Sequence, residues 1–188
     1  TNHMSANRKA ISEHTRKSLI FDELVENFRH FSNMFIKLSK KLFLMTLYFI
    51  GIGLNNERDI TLNGLEAVKK CDAVYLENYT SILNCKKEDL EKFYNKKIIF
   101  ARRNLVEAEN NELLENAKSR NVAFLVVGDP LVATTHIDLF LMARKEGIEC
   151  KVLHNSSIIT AVGETGLQIY KFGKTTSIPQ ENENIETP

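Results

Sequence analysis

From Met45 onward, short apolar runs alternate with stretches of helical periodicity, and this alternation constrains the fold more than any other feature of the chain. The strongest run is 122–127, six consecutive apolar residues between Asn121 and Gly128. Runs that are apolar throughout are typical of strands buried on both faces, and strands that alternate with helices form parallel sheets. The sequence therefore predicts an α/β fold: a five-stranded, mainly parallel sheet with helices on both faces.

The element boundaries follow from the same patterns. The predicted strands are 47–52, 73–76, 97–100, 122–127 and 150–153. The predicted helices are 61–71, 86–94, 105–119, 134–146 and a last one that opens within 156–166. Thr135 and Asp138 have the spacing of a capping box, so Thr135 is expected to begin a helix and His136 to lie in its first turn. At that place a capping or packing histidine is favoured over a catalytic one.

A separate helix is predicted ahead of the sheet. Between residues 18 and 42, apolar residues recur at steps of three and four, which places them on one helical face. The favoured interpretation is an amphipathic helix that packs on the body of the protein or on a second subunit. A membrane-surface or targeting helix and an unfolded segment remain as alternatives. Thr1–Met4 resembles an expression-vector remnant ahead of a start methionine.

Charge is distributed unevenly along the chain. Of the 25 Lys and Arg and 24 Asp and Glu residues, eight basic and four acidic ones lie in residues 1–44, so the rest of the chain is mildly acidic. The net charge of +1 gives no electrostatic argument for a nucleic-acid or membrane partner. The 43% hydrophobic and 26% charged residues are those of an ordinary globular protein, which excludes wholesale disorder.

The cysteines and the apolar segments indicate where such a chain works. Three cysteines at scattered spacings form neither a metal-binding pair nor a disulfide framework, as expected in a reducing compartment. The longest uncharged run, 42–56, is too short in its apolar part to span a bilayer. We therefore expect a cytoplasmic protein, and the sequence has no ligand spacing that predicts a metal site.

Two predicted strand ends carry unusual chemistry. The first is Gly51-Ile52-Gly53, where glycines allow a tight turn and a close approach to a ligand. A nicotinamide-binding fold is an alternative here, with Glu77 placed for a ribose hydroxyl, but the third glycine of its fingerprint is missing because Asn56 stands there. The second strand end is Gly128-Asp129-Pro130, with a carboxylate that is unfavourable at a strand tip unless it faces solvent or a ligand.

Several of these motifs together resemble the diphthine synthases, a branch of the tetrapyrrole methylase superfamily. The similarity runs over 45–179. The matching segments are 47–54 (LYFIGIGL), 59–66 (DITLNGLE), 74–81 (VYLENYTS), 126–130 (VVGDP), 133–136 (ATTH), 154–158 (HNSSI), 161–163 (AVG) and 165–173 (TGLQIYKFG). The GDP triplet marks only the superfamily, whereas its combination with ATTH and GLQIYKFG is specific to the diphthine branch.

This resemblance implies a function. Diphthine synthases use S-adenosylmethionine to methylate the modified histidine of translation elongation factor 2, leaving S-adenosylhomocysteine. The family's donor-binding positions fall on Leu54, Asp129, Val132, Ser157 and Ile158 of this sequence. No catalytic base follows from the resemblance; His136 and Asp129 are the candidates. The family also implies a homodimer, whereas the expectation of no nucleic-acid, membrane or metal partner rests on the charge, the apolar segments and the ligand spacings described above.

The resemblance also organises the chain into three parts. Residues 1–44 are the vector remnant and the basic helical extension, 45–173 the methylase N-terminal domain that binds S-adenosylmethionine, and 174–188 a linker or disordered tail. Family members carry a second α/β domain that completes the donor site, and it lies beyond the point at which the present sequence stops. A second hypothesis is therefore a truncated, catalytically inactive binding or assembly module of the same fold.

Overall fold

A computed structural model describes residues 25–34, 45–106, 108 and 111–176. The chain divides into two units, Thr1–Leu44 and Met45–Pro188, each of which is described by itself. In the first unit, residues 25–34 form a helix, α1, which lies inside the predicted helix 18–42. The ends predicted for that helix, the vector remnant and the tail 177–188 lie outside the described residues.

The second unit is an α/β sheet domain. Its strands are β1 (Thr46–Gly51), β2 (Ala73–Glu77), β3 (Ile99–Ala101), β4 (Val122–Val126) and β5 (Glu149–Leu153). Its α-helices are α2 (Leu62–Lys70), α3 (Lys87–Tyr94), α4 (Arg103–Val106), α5 (Glu112–Ala117), α6 (Ile137–Lys145) and α7 (Ile158–Ala161). Two short 3-10 helices follow, Val162–Thr165 and Ile169–Lys171.

The five strands form one sheet in the order β3-β2-β4-β1-β5, and every pair of neighbouring strands is parallel. The predicted α/β class and five-stranded parallel sheet are therefore confirmed. The central strand is β4, the most continuous apolar run of the sequence, and all five of its residues are buried. A strand that pairs on both edges and is covered on both faces can hold only apolar side chains, which is why this run is the clearest strand signal.

Helices cover both faces of the sheet. On one face, Leu113 and Leu114 of α5 and Leu139 of α6 pack against Phe49 and Phe124. On the other face, α2 and α3 contribute Val68, Leu90 and Tyr94 to a cluster with Ile50 and Leu125. The side chains of each strand alternate between these two clusters, as the twofold period of a strand requires. The two apolar clusters hold the sheet rigid, so that its carboxyl edge can position a site.

Two predicted helices differ from the observed ones. The continuous helix 105–119 is wrong, because the structure has two separate helices, α4 and α5. Asn111 begins the second of them: its Oδ1 accepts hydrogen bonds from the backbone N–H groups of Leu113 and Leu114, and its Nδ2 donates to the carbonyl of Val106. An asparagine engaged in this way favours a helix start over a helix interior. The helix predicted to open within 156–166 is confirmed: α7 begins at Ile158 and is continued by a 3-10 helix, Val162–Thr165.

The predicted start of α6 at Thr135 is also wrong by one residue. The N-cap residue is His136, and the backbone N–H of Asp138 donates to the carbonyl of Thr135 at 3.2 Å. Among the described residues, no side-chain hydrogen bond caps the start of α6. The hydroxyl of Thr134 instead donates to the carbonyl of Pro130 at 2.8 Å, so the loop between β4 and α6 is closed by Thr134.

Candidate functional site

The carboxyl ends of β1 and β4 form the switch point of the sheet. These strands are neighbours, but α2 follows β1 onto one face while α6 follows β4 onto the other. Because the connections leave these two adjacent strands in opposite directions, a crevice forms between them. Doubly wound α/β sheets bind their ligands in such a crevice. Both glycine-containing segments that the sequence singled out, Gly51–Gly53 and Gly128–Pro130, lie at this crevice.

Gly53 and Gly128 join the two loops directly. The N–H of Gly128 donates to the carbonyl of Gly53 at 2.7 Å, and the pair forms an antiparallel bridge outside the named strands. Both have left-handed backbone angles, with φ of 79° and 78°. A Cβ atom on Gly53 would lie 2.3 Å from the Cβ of Asp59, so no larger residue fits without moving the backbone. The glycines predicted from sequence are thus required by the geometry of the crevice.

Asp129 holds the β4 loop to the β5 loop. Its carboxylate is buried and accepts hydrogen bonds from the backbone N–H groups of Leu131, at 3.0 Å, and Asn155, at 3.2 Å. Its Oδ2 also lies 2.7 Å from Nδ1 of His154. Sequence reasoning placed this carboxylate at a strand tip in need of a partner, and the structure supplies three partners within the protein. Asp129 would therefore affect a ligand mainly through the loops that it fixes.

Asn155 connects the third loop to the crevice. Its Nδ2 donates to the carbonyls of Gly51, at 3.0 Å, and Asp59, at 2.9 Å. Asp59 in turn accepts from the backbone N–H groups of Leu54 and Asn55 through Oδ2. The loops after β1, β4 and β5 are therefore linked by hydrogen bonds between residues far apart in sequence. Such cross-links preorganise a site before a ligand arrives.

His136 lies below the crevice, buried in the core. Its Nδ1 is 3.3 Å from the carbonyl of Pro130 and its Nε2 is 3.3 Å from the hydroxyl of Tyr79. Its ring packs edge-on against Phe124, with the centroids 5.0 Å apart. Both nitrogens face protein atoms, which favours the packing role that the sequence indicated for this histidine. Nothing in this arrangement assigns His136 as a base.

All five residues named as donor-binding positions line one cavity at the carboxyl edge of the sheet. We call it the edge cavity; its volume is about 60 Å³. The residues brought together are Leu54, Asp129, Val132, Ser157 and Ile158. They come from the loops after β1, β4 and β5, whose carboxyl ends meet at one edge because the strands are parallel.

An open groove of about 930 Å³ adjoins the edge cavity and shares Ala133 and Ile158 with it. Most of its other lining residues lie between Ile159 and Thr176. Ala133 has a left-handed backbone with φ of 59°, a conformation that a non-glycine residue adopts at some strain. Sequence patterns gave no sign of this groove or of the strained alanine.

Two polar atoms in the wall of the edge cavity have no hydrogen-bond partner among the described residues: Oε2 of Glu77 and Oγ of Ser157. Both side chains are buried. Buried polar atoms are almost always paired, so unpaired ones in a cavity wall indicate where a ligand's polar groups would bind. Glu77 had been singled out in the sequence only for the nicotinamide alternative.

That alternative is not supported by the topology. In the dinucleotide-binding fold the second strand lies beside the first, so that its acidic end reaches the ribose of a nucleotide held by the first glycine loop. Here β4 lies between β1 and β2. Glu77 therefore faces the loop after β4, as the shared lining with Gly128 and Asp129 also shows.

The described residues include no group of three or more His, Cys, Asp or Glu side chains arranged to hold a metal ion. Within the same part of the chain, no helix has both the length and the apolar character needed to cross a membrane.

Comparison with known proteins decides the family. The family model of the tetrapyrrole (corrin/porphyrin) methylases matches residues 46–187. This chain is a tetrapyrrole methylase family member. The match begins at the first strand of the sheet, and the resemblance predicted from the motifs is confirmed.

Curated relatives place the chain near the diphthine branch. It is 56% identical over 133 residues to a diphthine methyl ester synthase from Candida glabrata. The aligned residues cover 70% of this chain and 45% of that protein. It is 57% identical over 132 residues to the diphthine methyl ester synthase of Bos taurus, with coverage of 70% and 46%. The chain thus spans about half the length of the curated relatives that it matches.

Solved structures share the fold. A protein from Entamoeba histolytica assigned as a diphthine synthase matches with a TM-score of 0.66 and 52% identity, over 74% of this chain and 53% of that one. A second diphthine synthase structure matches with a TM-score of 0.66 and 44% identity, over 68% and 51% of the two chains.

Proposed function

We propose that this chain is the donor-binding half of a methyltransferase that uses S-adenosylmethionine and acts in diphthamide synthesis on the modified histidine of translation elongation factor 2. The observation that carries the proposal is the edge cavity: the five positions taken from the family meet there, at the switch point of the sheet. The identity of more than half to diphthine methyl ester synthases supports the same acceptor.

The residues present fit the donor. The edge cavity offers the unpaired Oε2 of Glu77 and Oγ of Ser157, together with loop backbone that glycines bring close. Its volume of about 60 Å³ holds only part of such a molecule, since sites for ligands of this size measure about 300–1,000 Å³. The adjoining groove of about 930 Å³ has room for the remainder.

When bound, S-adenosylmethionine supplies a methyl group on a sulfonium centre, leaving S-adenosylhomocysteine. The chain's own contribution is position: Asp129 and Asn155 fix the three loops, and the apolar side chains of Leu54, Val132 and Ile158 exclude water. Holding two reactants in line accounts for much of the rate in such transfers. The residue that takes the proton from the acceptor stays unassigned, with Asp129 and His136 the candidates named from sequence.

The remaining features of the proposal rest on the family and on composition. They are a donor-binding domain over 45–173, a linker or tail over 174–188, a helical extension before Met45, a homodimer, and a cytoplasmic location without nucleic-acid or membrane partners. The truncated, inactive module of the second hypothesis has less support than the methyltransferase, because the curated relatives are named as synthases.

Titration of the ¹⁵N-labelled chain with S-adenosylhomocysteine tests the proposal. We expect changes in the amide chemical shifts of Leu54, Gly128, Val132 and Ser157, which line the edge cavity. We expect no change at Glu91 of α3, which lines neither the edge cavity nor the adjoining groove. NMR detects millimolar affinity, so half of a divided site is sufficient for the experiment. Unchanged spectra at millimolar ligand would contradict donor binding by this chain. Methyl transfer to elongation factor 2, assayed separately, distinguishes an active chain from an inactive module.

A further inference from the structure

Glu77 is the last residue of β2, and its two carboxylate oxygens differ in their hydrogen bonding. Its side chain is 1% exposed. Oε1 accepts from the backbone N–H groups of Tyr79, at 2.7 Å, and Thr80, at 2.6 Å, which fixes the carboxylate in the turn after the strand. Oε2 is buried and has no partner among the described residues.

A buried carboxylate oxygen without a partner is unfavourable, because the loss of its hydration is not offset. Two backbone donors hold this carboxylate where it is, so it cannot turn toward solvent. The remaining oxygen is therefore prepared for a group that arrives from outside the chain. Unsatisfied buried atoms of this kind are concentrated at functional sites.

The charges around Glu77 indicate what that group is. The edge cavity is lined by two acidic residues, Glu77 and Asp129, and by no lysine or arginine. Asp129 is already bonded to Leu131, His154 and Asn155. Glu77 thus supplies the free negative charge of this cavity.

A second cavity, of about 190 Å³, also has Glu77 in its wall and contains one basic residue, Lys87. Lys87 is engaged elsewhere: its Nζ lies 3.6 Å from Oε1 of Glu91 and 5.1 Å from the centroid of the Phe100 ring. The described linings of the two cavities offer no free basic side chain, so a cation from outside the described residues is the complement of Oε2.

We propose that Oε2 of Glu77 is an anionic anchor for a positively charged group of the methyl donor. The inference rests on the proposed function and deepens it, since Glu77 is not among the donor-binding positions given by the family resemblance. S-adenosylmethionine carries two such groups, the sulfonium and the α-ammonium, whereas S-adenosylhomocysteine carries the ammonium alone. 5′-Methylthioadenosine has the same nucleoside and thioether without either charge.

The variant Glu77→Gln isolates the free oxygen. Glutamine has the same shape and keeps one oxygen for the N–H groups of Tyr79 and Thr80, but it replaces the other by an NH₂ that repels a cation. The matched control is Asp72→Asn. The Asp72 carboxylate also accepts a backbone N–H, that of Asn121 at 2.9 Å, and it lines neither cavity of Glu77.

The test measures the Kd of the three ligands by NMR titration of the full 188-residue chain and of both variants. We expect Glu77→Gln to raise the Kd of S-adenosylmethionine about tenfold or more and to leave that of methylthioadenosine unchanged. A matching rise for S-adenosylhomocysteine assigns the ammonium to Glu77, and no rise for it assigns the sulfonium. Asp72→Asn should change none of the three values.

Two results overturn the inference alone: unchanged Kd values for S-adenosylmethionine in Glu77→Gln, or an equal rise for all three ligands, which would mean a contact to the nucleoside or a distorted site. No binding of any ligand to the unmodified chain overturns the proposed function and the inference with it. If Glu77→Gln does not fold, the ¹³C shift of the Glu77 carboxyl in the unmodified chain replaces it. That shift should move with S-adenosylmethionine and stay fixed with methylthioadenosine; a fixed shift with both contradicts the anchor.

Discussion

The central strands of the sheet and the C-terminal segment, residues 158–176, both carry large apolar side chains, but only those of the central strands are buried. Every residue of β4 is buried, whereas Leu167 is 57% exposed and Tyr170 81% exposed. The sheet has helices on both faces to cover it, and the segment contributes one wall of an open groove. The buried apolar surface that stabilises the fold therefore lies in the central sheet, and the segment contributes little of it.

The largest expected contrast is between two phenylalanines. Phe124 in β4 is fully buried and contacts Phe49 and His136 edge-on, whereas Phe172 in the segment is 45% exposed. We expect Phe124→Ala to lower the free energy of unfolding by about 3–5 kcal/mol and Phe172→Ala to change it by less than about 0.5 kcal/mol. Urea denaturation measures both, and equal losses would show that the segment is part of the folding unit.

Two glycines sharpen the contrast at the level of the backbone. Gly53 and Gly166 both have positive φ, but a Cβ on Gly53 would overlap Asp59, while nothing lies within 4 Å of one on Gly166. Gly166→Ala carries only the strain of the left-handed conformation, about 1 kcal/mol, and Gly53→Ala should be about two to three times more destabilising. Thermal unfolding of the two variants measures the difference. If both lose the same stability, the loop after β1 can open to accept a side chain.

A smaller difference in the free energy of unfolding is expected between variants of two acidic residues, Asp129 and Glu164. The Asp129 carboxylate contacts Leu131, His154 and Asn155, and Asp129→Asn weakens all three contacts. We therefore expect the free energy of unfolding to fall by about 1–2 kcal/mol. Glu164, exposed in the segment, serves as control, and Glu164→Gln should leave unfolding unchanged. The same chemical denaturation experiment measures both variants. An unaffected Asp129→Asn protein would mean that the three loops are held together without this carboxylate.

The smallest effect is a pH dependence of stability that comes from a buried thiol of the sheet domain. Burial raises the pKa of the Cys71 thiol from its ordinary value of 9.0 to about 12. Above pH 9 the unfolded chain loses this proton and the folded one keeps it, so stability falls as the pH rises. We expect Cys71 to account for about 1 kcal/mol of the loss between pH 9 and pH 10. Cys71→Ala should therefore show a shallower decline in the melting temperature, and an identical decline would contradict the assignment.

The sequence was sufficient for the class of fold because its strongest signals are local. The run 122–127 and the strand–helix alternation depend on neighbours along the chain, and both predicted β4 and the parallel sheet correctly. The strand order depends on pairings such as Leu47 with Val122, which no local pattern encodes. The break between α4 and α5 was missed because Asn111 was counted as one residue of a polar helix, although its side chain was available to cap a new one.

The site was predicted in part for a related reason. Motifs identified Leu54, Asp129, Val132, Ser157 and Ile158, and the structure brings them to one cavity; their role with a ligand stays a prediction. The partners of Asp129 and the unpaired oxygen of Glu77 could not be predicted, since both depend on which loops meet at the carboxyl edge. Glu77 could have been noticed as the only charged residue of its strand, Ala73–Glu77.

The strand order has a consequence for synthesis. β1 is made first among the strands, yet its two neighbours are β4 and β5, and its pairing residue Val122 lies about 75 residues after Leu47. At about 5–20 residues per second, the ribosome needs roughly 4–15 s to deliver the first partner. During that interval an apolar strand with both edges open leaves the exit tunnel, where unpaired edges invite association with other chains. β1 therefore waits with both edges unpaired until β4 and β5 have been made and the sheet can close around it.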